Sequence, residues 1–182
     1  MTLLQASKRD ETAFSQQTNI MHNAKFVVLD TSAGQIRIEL FRSKAPETVN
    51  NFVSLASAGF YDKTKFHRVV EGMLIQGGDP LTREPDRELY GTGGPGYVFE
   101  DELNDIPMVR GVVAMANLGR PKTNGSQFFV LTANKAPLLD GNYTIFGRVV
   151  EGMSVVDNIN AGEVSERQIP LKPVVIENVY VE

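Results

Sequence analysis

Short apolar runs separated by turn residues dominate this sequence and restrict the folds open to it. Residues 26–29 are apolar, residues 36–40 alternate between apolar and charged side chains, and residues 31–34 supply a turn between them, so a β-hairpin is predicted. Further strand-like runs lie between clusters of Gly, Pro, Asn and Asp, at residues 65–70, 73–77, 97–99, 111–116, 127–132, 145–150 and 174–181. Nine short strands with few helices predict a closed β-barrel.

Two segments interrupt this pattern with helical spacing. Pro46 stands at a position that the first turn of a helix tolerates, apolar residues then recur on one face, and Gly59 follows as a terminator, which predicts a helix over roughly residues 46–58. A second short helix is predicted over residues 153–159, before Gly162. Two helices are too few to cover a sheet, so the predicted fold class is mainly β.

The length of 182 residues suits a single domain with one core. We divide the chain into an N-terminal extension, residues 1–24, which lacks a clear period, and a folded domain, residues 25–182. No basic segment precedes an apolar core at the N-terminus, and nowhere do 18 apolar residues run together, so neither a signal peptide nor a membrane span is expected. With no cysteine in the chain, the expected location is the cytoplasm.

Charge and motif content exclude several functions. The formal net charge is −4 without a basic run, so no nucleic acid partner is expected. The spacing of Gly91, Gly93 and Gly96 is that of a dinucleotide-binding motif. However, Pro95 interrupts it, and a strand-like run follows where that motif requires a helix. With only His22 and His67 we predict no metal and no cofactor. The acidic run at residues 100–102 is interpreted as a solvated edge.

One ten-residue pattern occurs twice. Residues 64–73 and 144–153 share the form Thr-x-Phe-x-Arg-Val-Val-Glu-Gly-Met, after which the two copies diverge into a strand-like and a helix-like sequence. True repeat proteins repeat over longer units. We interpret the copies as two strands that end in the same turn, and Arg148 then serves as a control for Arg68.

Two segments carry a resemblance to a known family. Residues 66–79, and residues 115–117 with 124–129, resemble the signature regions of the cyclophilins, and the similarity extends over residues 26–181. The resemblance implies a closed eight-stranded antiparallel barrel capped by two helices, with a substrate groove on its outer wall. The nine predicted strands therefore include one too many. It also implies peptidyl-prolyl cis-trans isomerase activity that assists protein folding.

The resemblance also assigns roles to particular residues. Arg68 resembles the catalytic arginine, and Thr123 and Gly125 border the pocket for the residue upstream of proline. Other positions correspond to the substrate groove: His67, Met73, Leu74, Gln76, Ala116, Asn117, Gln127, Phe129, Leu138, Leu139 and Tyr143. Where the commonest eukaryotic members have Phe, Trp and His, this chain has Met73, Leu138 and Tyr143, so we expect weakened cyclosporin binding because an indole N–H and its ring are missing.

These residues suit the chemistry. Amide resonance sets a barrier of roughly 18–20 kcal/mol, and unaided X-Pro bonds isomerise over tens to hundreds of seconds. A catalyst has only to prefer the twisted state, in which the prolyl nitrogen regains a lone pair that a guanidinium can donate to. An ideal strand places His67 and Arg68 on opposite faces, so both reach one groove only if the strand is distorted.

Two other functions fit parts of this pattern. A proline-peptide binding module would keep the groove without useful turnover, and only the retained Arg68 disfavours it. A barrel carrier would need a wide interior, which the content of bulky Phe, Leu, Ile and Val residues disfavours. The expected partners are proline-containing peptides and client proteins, and we expect a monomer.

Overall fold

The computed structural model describes residues 23–182, and the predicted N-terminal extension, residues 1–24, lies almost wholly outside them. Eight strands form the body of the domain, and their bounds are β1 Phe26–Thr31, β2 Gly34–Leu40, β3 Arg68–Val70, β4 Leu74–Gly77, β5 Val112–Met115, β6 Phe128–Leu131, β7 Ile145–Glu151 and β8 Ile176–Val181. Two helices accompany them, α1 Pro46–Ser57 and α2 Met153–Asn160. The predicted mainly β fold with two helices is confirmed.

The strands form one antiparallel sheet in the order β3-β4-β6-β5-β7-β2-β1-β8. Its first and last strands do not pair along their length, but Lys65, just before β3, bridges Val175, just before β8. Backbone hydrogen bonds from Phe66 to Val174 and from Ile176 to Thr64 extend this seam. The sheet therefore curls into a barrel that a short seam closes.

Large aromatic side chains fill the barrel interior. Phe52 of α1, Tyr61, Phe66, Phe128 of β6 and Phe146 of β7 are at most 1% exposed and pack ring against ring, with centroids 4.9 to 6.4 Å apart. Such packing leaves no room for a bound small molecule. The barrel is a solid scaffold, which argues against a carrier.

Helix α1 covers one end of the barrel. Pro46 occupies its first turn as the sequence predicts, and Val49, Phe52 and Val53 are buried on its inner face. Its capping residue offers no side-chain hydrogen bond; instead, a remote carboxylate, that of Glu102, accepts the N–H groups of Glu47 and Thr48 at 3.0 and 2.7 Å. The solvated-edge interpretation is therefore wrong for Glu102, which caps this helix.

The predicted strand over residues 97–99 is also wrong. Tyr97 and Val98 are 50% and 62% exposed, and only Phe99 forms an isolated bridge, with Asn124. Removing this run gives the eight strands that the resemblance implies. The remaining strand and helix predictions agree with the structure to within about three residues at each end.

A second apolar cluster lies on the outer face of the sheet and prepares the site. In β6 the side chains alternate, so Phe128 and Val130 join the interior while Phe129 and Leu131 join the outer cluster with Leu74. Buried residues therefore lie on both faces of this part of the sheet. Within residues 23–182, no helix combines the length and apolar character that crossing a membrane requires.

Candidate active site

A groove of about 520 Å³ runs over this outer cluster. It brings together ten of the residues predicted for the site, namely His67, Arg68, Met73, Leu74, Gln76, Ala116, Asn117, Phe129, Leu139 and Tyr143. Five further residues line it that the sequence did not indicate: Val70, Tyr90, Gly91, Arg167 and Ile169. Strands β3, β4 and β6 form the floor, and loops form both rims.

Arg68 starts strand β3 and lies opposite Gln76 of β4. Its guanidinium donates from Nη1 to Oε1 of Gln76 at 3.2 Å and from Nε to Oε1 of Gln168 at 2.9 Å. No carboxylate of residues 23–182 forms an ion pair with it. Two neutral amides thus orient an exposed cation without neutralising it, which leaves its remaining N–H donors for a ligand.

The amide of Gln76 is itself held by a second amide. Gln76 Nε2 donates to Gln127 Oε1 at 3.0 Å, and Gln127 Nε2 donates to the carbonyl oxygens of Gly91 and Gly93 at 3.0 and 2.8 Å. The hydrogen-bond pattern fixes which end of each amide donates. A chain of three side chains therefore ties the position of the Arg68 guanidinium to the loop at Gly91.

Asp79 holds that loop in place from below. The carboxylate is fully buried and accepts the N–H groups of Leu81 at 2.7 Å, Gly91 at 2.6 Å and Gly93 at 3.3 Å. A Cβ atom on Gly93 would lie 2.1 Å from the carboxylate, so only glycine fits there. Two of the three glycines that match the dinucleotide-binding spacing, Gly91 and Gly93, therefore belong to a tight loop around a carboxylate.

His67 lies just before β3 and is covered by the loop. It is 3% exposed, its ring would lie 3.8 Å from a Cβ atom placed on Gly91, and neither ring nitrogen makes a hydrogen bond of normal geometry within residues 23–182. Burial lowers the pKa of His67 below 6.5, the nearby Asp79 carboxylate opposes that shift, and Arg68 adds to it. The imidazole is therefore neutral at pH 7. Because β3 begins only at Arg68, both neighbours reach the groove.

Apolar side chains form a slot beside Arg68. The ring of Phe129, 3% exposed, meets the ring of Tyr143 edge to face with centroids 5.3 Å apart. Leu74 is 8% exposed and Met73 36% exposed at the same rim. A slot floored by an aromatic ring and walled by flexible aliphatic chains suits an apolar ring such as pyrrolidine.

A second pocket, of about 480 Å³, adjoins the groove on one side. It contains Thr123, Gly125 and Gln127, three of the four predicted residues that the groove itself lacks. It shares Gln76, Gly91, Ala116 and Asn117 with the groove, so a bound chain can pass from one to the other. At this junction the backbone N–H and C=O of Asn117 bond to no other backbone group of the described chain.

Leu138 departs from its predicted place. It lies on a short 3₁₀ turn, Pro137–Leu139, is 90% exposed, and lines a separate pocket of about 370 Å³ rather than the groove. Its neighbour Leu139 lines both. No clustering of three or more potential metal-binding side chains occurs within residues 23–182.

Comparisons with known proteins agree with this arrangement. The family model described as cyclophilin type peptidyl-prolyl cis-trans isomerase/CLD matches residues 26–181. A curated relative, the peptidyl-prolyl cis-trans isomerase-like 3 of Gibberella zeae, is 44% identical over 160 residues, which cover 85% of this chain and 95% of the relative. The peptidyl-prolyl cis-trans isomerase-like 1 of Mus musculus is 44% identical over 157 residues, which cover 85% of this chain and 90% of the relative.

Solved structures point the same way. A crystal structure of a cyclophilin type peptidyl-prolyl cis-trans isomerase from Cryptosporidium parvum superposes with a TM-score of 0.80 at 32% identity, covering 87% of this chain and 98% of that one. The same enzyme, crystallised in the presence of the dipeptide Ala-Pro, gives a TM-score of 0.79, and the match covers 86% of this chain and 98% of that one. The chain therefore belongs to the cyclophilin-type peptidyl-prolyl cis-trans isomerases, and it is an enzyme that isomerises the peptide bond preceding proline.

Proposed function

We propose that the groove is the active site and that Arg68 is its catalytic residue. The observation that carries this proposal is an exposed guanidinium that neutral amides orient and no carboxylate of the described residues neutralises. In the twisted state, the prolyl nitrogen becomes pyramidal and accepts a hydrogen bond that the planar ground state cannot accept. A donor fixed in advance at that position lowers the barrier without reorganising.

The slot formed by Phe129, Met73 and Leu74 grips the proline ring. Leu138 was predicted to share this role, but its exposed position in a separate pocket removes it from the proposal. The free backbone groups of Asn117 pair with the peptide next to the proline in the manner of an added strand. The pyrrolidine ring is then held while the preceding residue turns. Rotation about the peptide bond breaks no covalent bond.

The neighbouring pocket with Thr123 and Gly125 takes a side chain upstream of the proline. A side chain at position 125 would crowd this pocket, since a Cβ atom there would lie 3.2 Å from Pro95, which lines the same pocket. Proline-containing peptides and client proteins are the proposed substrates. The Ala-Pro dipeptide that accompanied the Cryptosporidium parvum enzyme supports this choice.

Several expectations on location, oligomeric state, cellular role and partners remain predictions. They are a cytoplasmic location, a monomeric state, a role in assisting protein folding, and no binding of nucleic acid or membranes. Weak cyclosporin binding is also proposed, because Leu138 offers neither an indole ring nor its N–H. Titration calorimetry with cyclosporin tests this expectation, and tight binding would contradict it.

The alternative, a binding module without useful turnover, makes a different prediction. We would follow the cis-trans exchange of a short Ala-Pro peptide by NMR exchange spectroscopy, with and without the folded protein. The proposed function predicts a rate well above the uncatalysed one and inhibition by a second proline peptide, but not by its Pro-to-Ala analogue. Binding of the proline peptide without faster exchange would favour the binding module instead.

A further inference from the structure

The separate pocket that contains Leu138 is unassigned by the proposed function. Its lining includes Leu103, Arg120, Pro121, Leu138 and Gly141, and its volume of about 370 Å³ suffices for one large side chain. Leu103 and Leu138 are 55% and 90% exposed, and both face one concave surface. Exposed leucines usually occur singly, so two that line one pocket make it a candidate binding surface.

Internal hydrogen bonds hold the walls of this pocket in place. Asn117 Nδ2 donates to the carbonyl of Asn142 at 3.0 Å, and Asn117 Oδ1 accepts the N–H of Gly119 at 3.0 Å, so one side chain joins two walls. Asn142 Nδ2 donates to the carbonyl of Leu138 at 3.1 Å. The pocket is therefore formed before a ligand arrives, and binding costs little ordering entropy.

The polar groups of the pocket leave its centre suited to an apolar occupant. The Asp101 carboxylate is already engaged, since it accepts the N–H of Lys122 at 2.8 Å and Nδ2 of Asn124 at 2.9 Å. Arg120 forms no ion pair within residues 23–182 and lies on the same lining. A long cationic side chain places its aliphatic stem on apolar surface and keeps its charge in water.

The position of the pocket identifies the occupant. It continues the groove through Leu139, Tyr143 and Asn117, while the pocket at Thr123 and Gly125 joins the groove through a different set in which only Asn117 recurs. A peptide that fills the upstream pocket and the proline slot can continue over Leu139 and Tyr143, which line both the groove and the pocket of Leu138.

We propose that the pocket formed by Leu103, Pro121 and Leu138 is a specificity site that binds an apolar side chain one to three residues downstream of the proline. This inference rests on the proposed function, because the groove must bind the proline first. It makes this enzyme selective for clients in which a large aliphatic or aromatic residue closely follows the proline. A second copy of the chain is the competing occupant.

The test compares short peptides with a common Ala-Ala-Pro core followed by three residues. One peptide carries Ser at all three positions, and three others carry a single Leu at the first, second or third position. At peptide concentrations below KM, the catalysed exchange rate from NMR exchange spectroscopy gives kcat/KM, and no protease is needed that would itself select the downstream residue. The proposal predicts that Leu at one of these positions raises kcat/KM about fivefold over the all-Ser peptide.

Variants separate the pocket from the rest of the groove. Leu138→Ser should reduce the Leu preference to less than about twofold, whereas Leu171→Ser, at a leucine 51% exposed in another pocket, should keep it. Circular dichroism checks that each variant is folded.

Catalysis of all four peptides at equal rates would overturn this inference and leave the proposed function intact, whereas no catalysis of any peptide would overturn the proposed function itself. Persistence of the preference in Leu138→Ser would also overturn the pocket assignment. A dimer in sedimentation that Leu138→Ser dissociates, without any peptide preference, would assign the surface to self-association instead.

Discussion

The two copies of the ten-residue pattern show that the neighbouring strand determines the environment of an arginine. In both copies the Thr and Phe are buried, and the Arg points outward: Phe66 and Phe146 are at most 1% exposed, while Arg68 and Arg148 are exposed. Arg68 lies opposite Gln76, an amide. Arg148 lies opposite Glu39, and its Nε donates to that carboxylate at 2.7 Å.

The local sequence therefore sets the direction of each side chain, and the neighbouring strand sets its chemistry. Arg68 keeps an unneutralised charge beside a groove, whereas Arg148 is consumed in an ion pair. The divergence follows from the residues after the shared pattern, where the first copy continues into β4 with Gln76 and the second continues into α2. A motif scan alone would treat the two arginines as equivalent.

The shared glycine gives the largest expected difference between the copies. Gly72 and Gly152 both have positive φ, 67° and 87°, but a Cβ atom on Gly72 meets nothing, while one on Gly152 would lie 2.1 Å from the carbonyl oxygen of Gln35. Gly72→Ala should cost about 1 kcal/mol of unfolding free energy, and Gly152→Ala about 3 kcal/mol or more, in urea denaturation. Equal costs for the two substitutions would mean that the backbone at Gly152 does not lie close to Gln35.

Exchanging the partner chemistry should convert the first copy into the second. Gln76→Glu places a carboxylate opposite Arg68, which then pairs as Arg148 pairs with Glu39, and kcat/KM should fall by roughly tenfold because the guanidinium no longer faces the substrate. Gln76→Ala controls for the loss of the amide, and its kcat/KM should fall less than that of Gln76→Glu. Glu39→Gln should leave kcat/KM unchanged, and a loss there would contradict the comparison.

His67 occurs where the second copy has Gly147, and it should add a pH dependence to stability. Burial lowers the pKa of His67 below 6.5, so the unfolded chain binds more protons, and stability rises with pH across this window. As pH falls below 6.5, wild type should lose up to about 1.4 kcal/mol per pH unit relative to His67→Gln. Parallel pH profiles of the two proteins in urea denaturation would contradict the assignment.

The ion pair of the second copy should contribute least. Arg148 and Glu39 side chains are 58% and 34% exposed, and exposed pairs typically contribute less than about 1 kcal/mol. Thermal unfolding of Arg148→Ala and Glu39→Gln should therefore show small, similar shifts in Tm. A large loss in either variant would mean that Arg148 has a role beyond this pair.

Much of this fold was predictable because local patterns carry it. Strand alternation at residues 36–40 and the helix that begins at Pro46 follow from side-chain period and turn chemistry. The run at residues 97–99 has the same composition as a strand, but no neighbouring strand pairs with it, and pairing is not visible in a single segment. Glu102 caps α1 from a distant loop for the same reason.

The candidate site was only partly predictable. The signature segments identified most of the groove residues, because these lie on adjacent strands. Arg167 and Ile169 line the groove, and Gln168 orients Arg68, from a segment about 100 residues away that carries no motif. Leu138 left the groove because a short 3₁₀ turn rotates neighbouring side chains apart, an effect that similarity along the sequence does not show.

The central claim is that surroundings, not local sequence, make Arg68 catalytic. The most direct test measures kcat/KM for an Ala-Pro peptide with wild type, Arg68→Ala and Arg148→Ala, all shown to be folded by circular dichroism. The account predicts a loss of about 100-fold or more, on the order of 3 kcal/mol, for Arg68→Ala and a change of less than about twofold for Arg148→Ala. Near wild-type activity in Arg68→Ala, or equal losses in both variants, would contradict it.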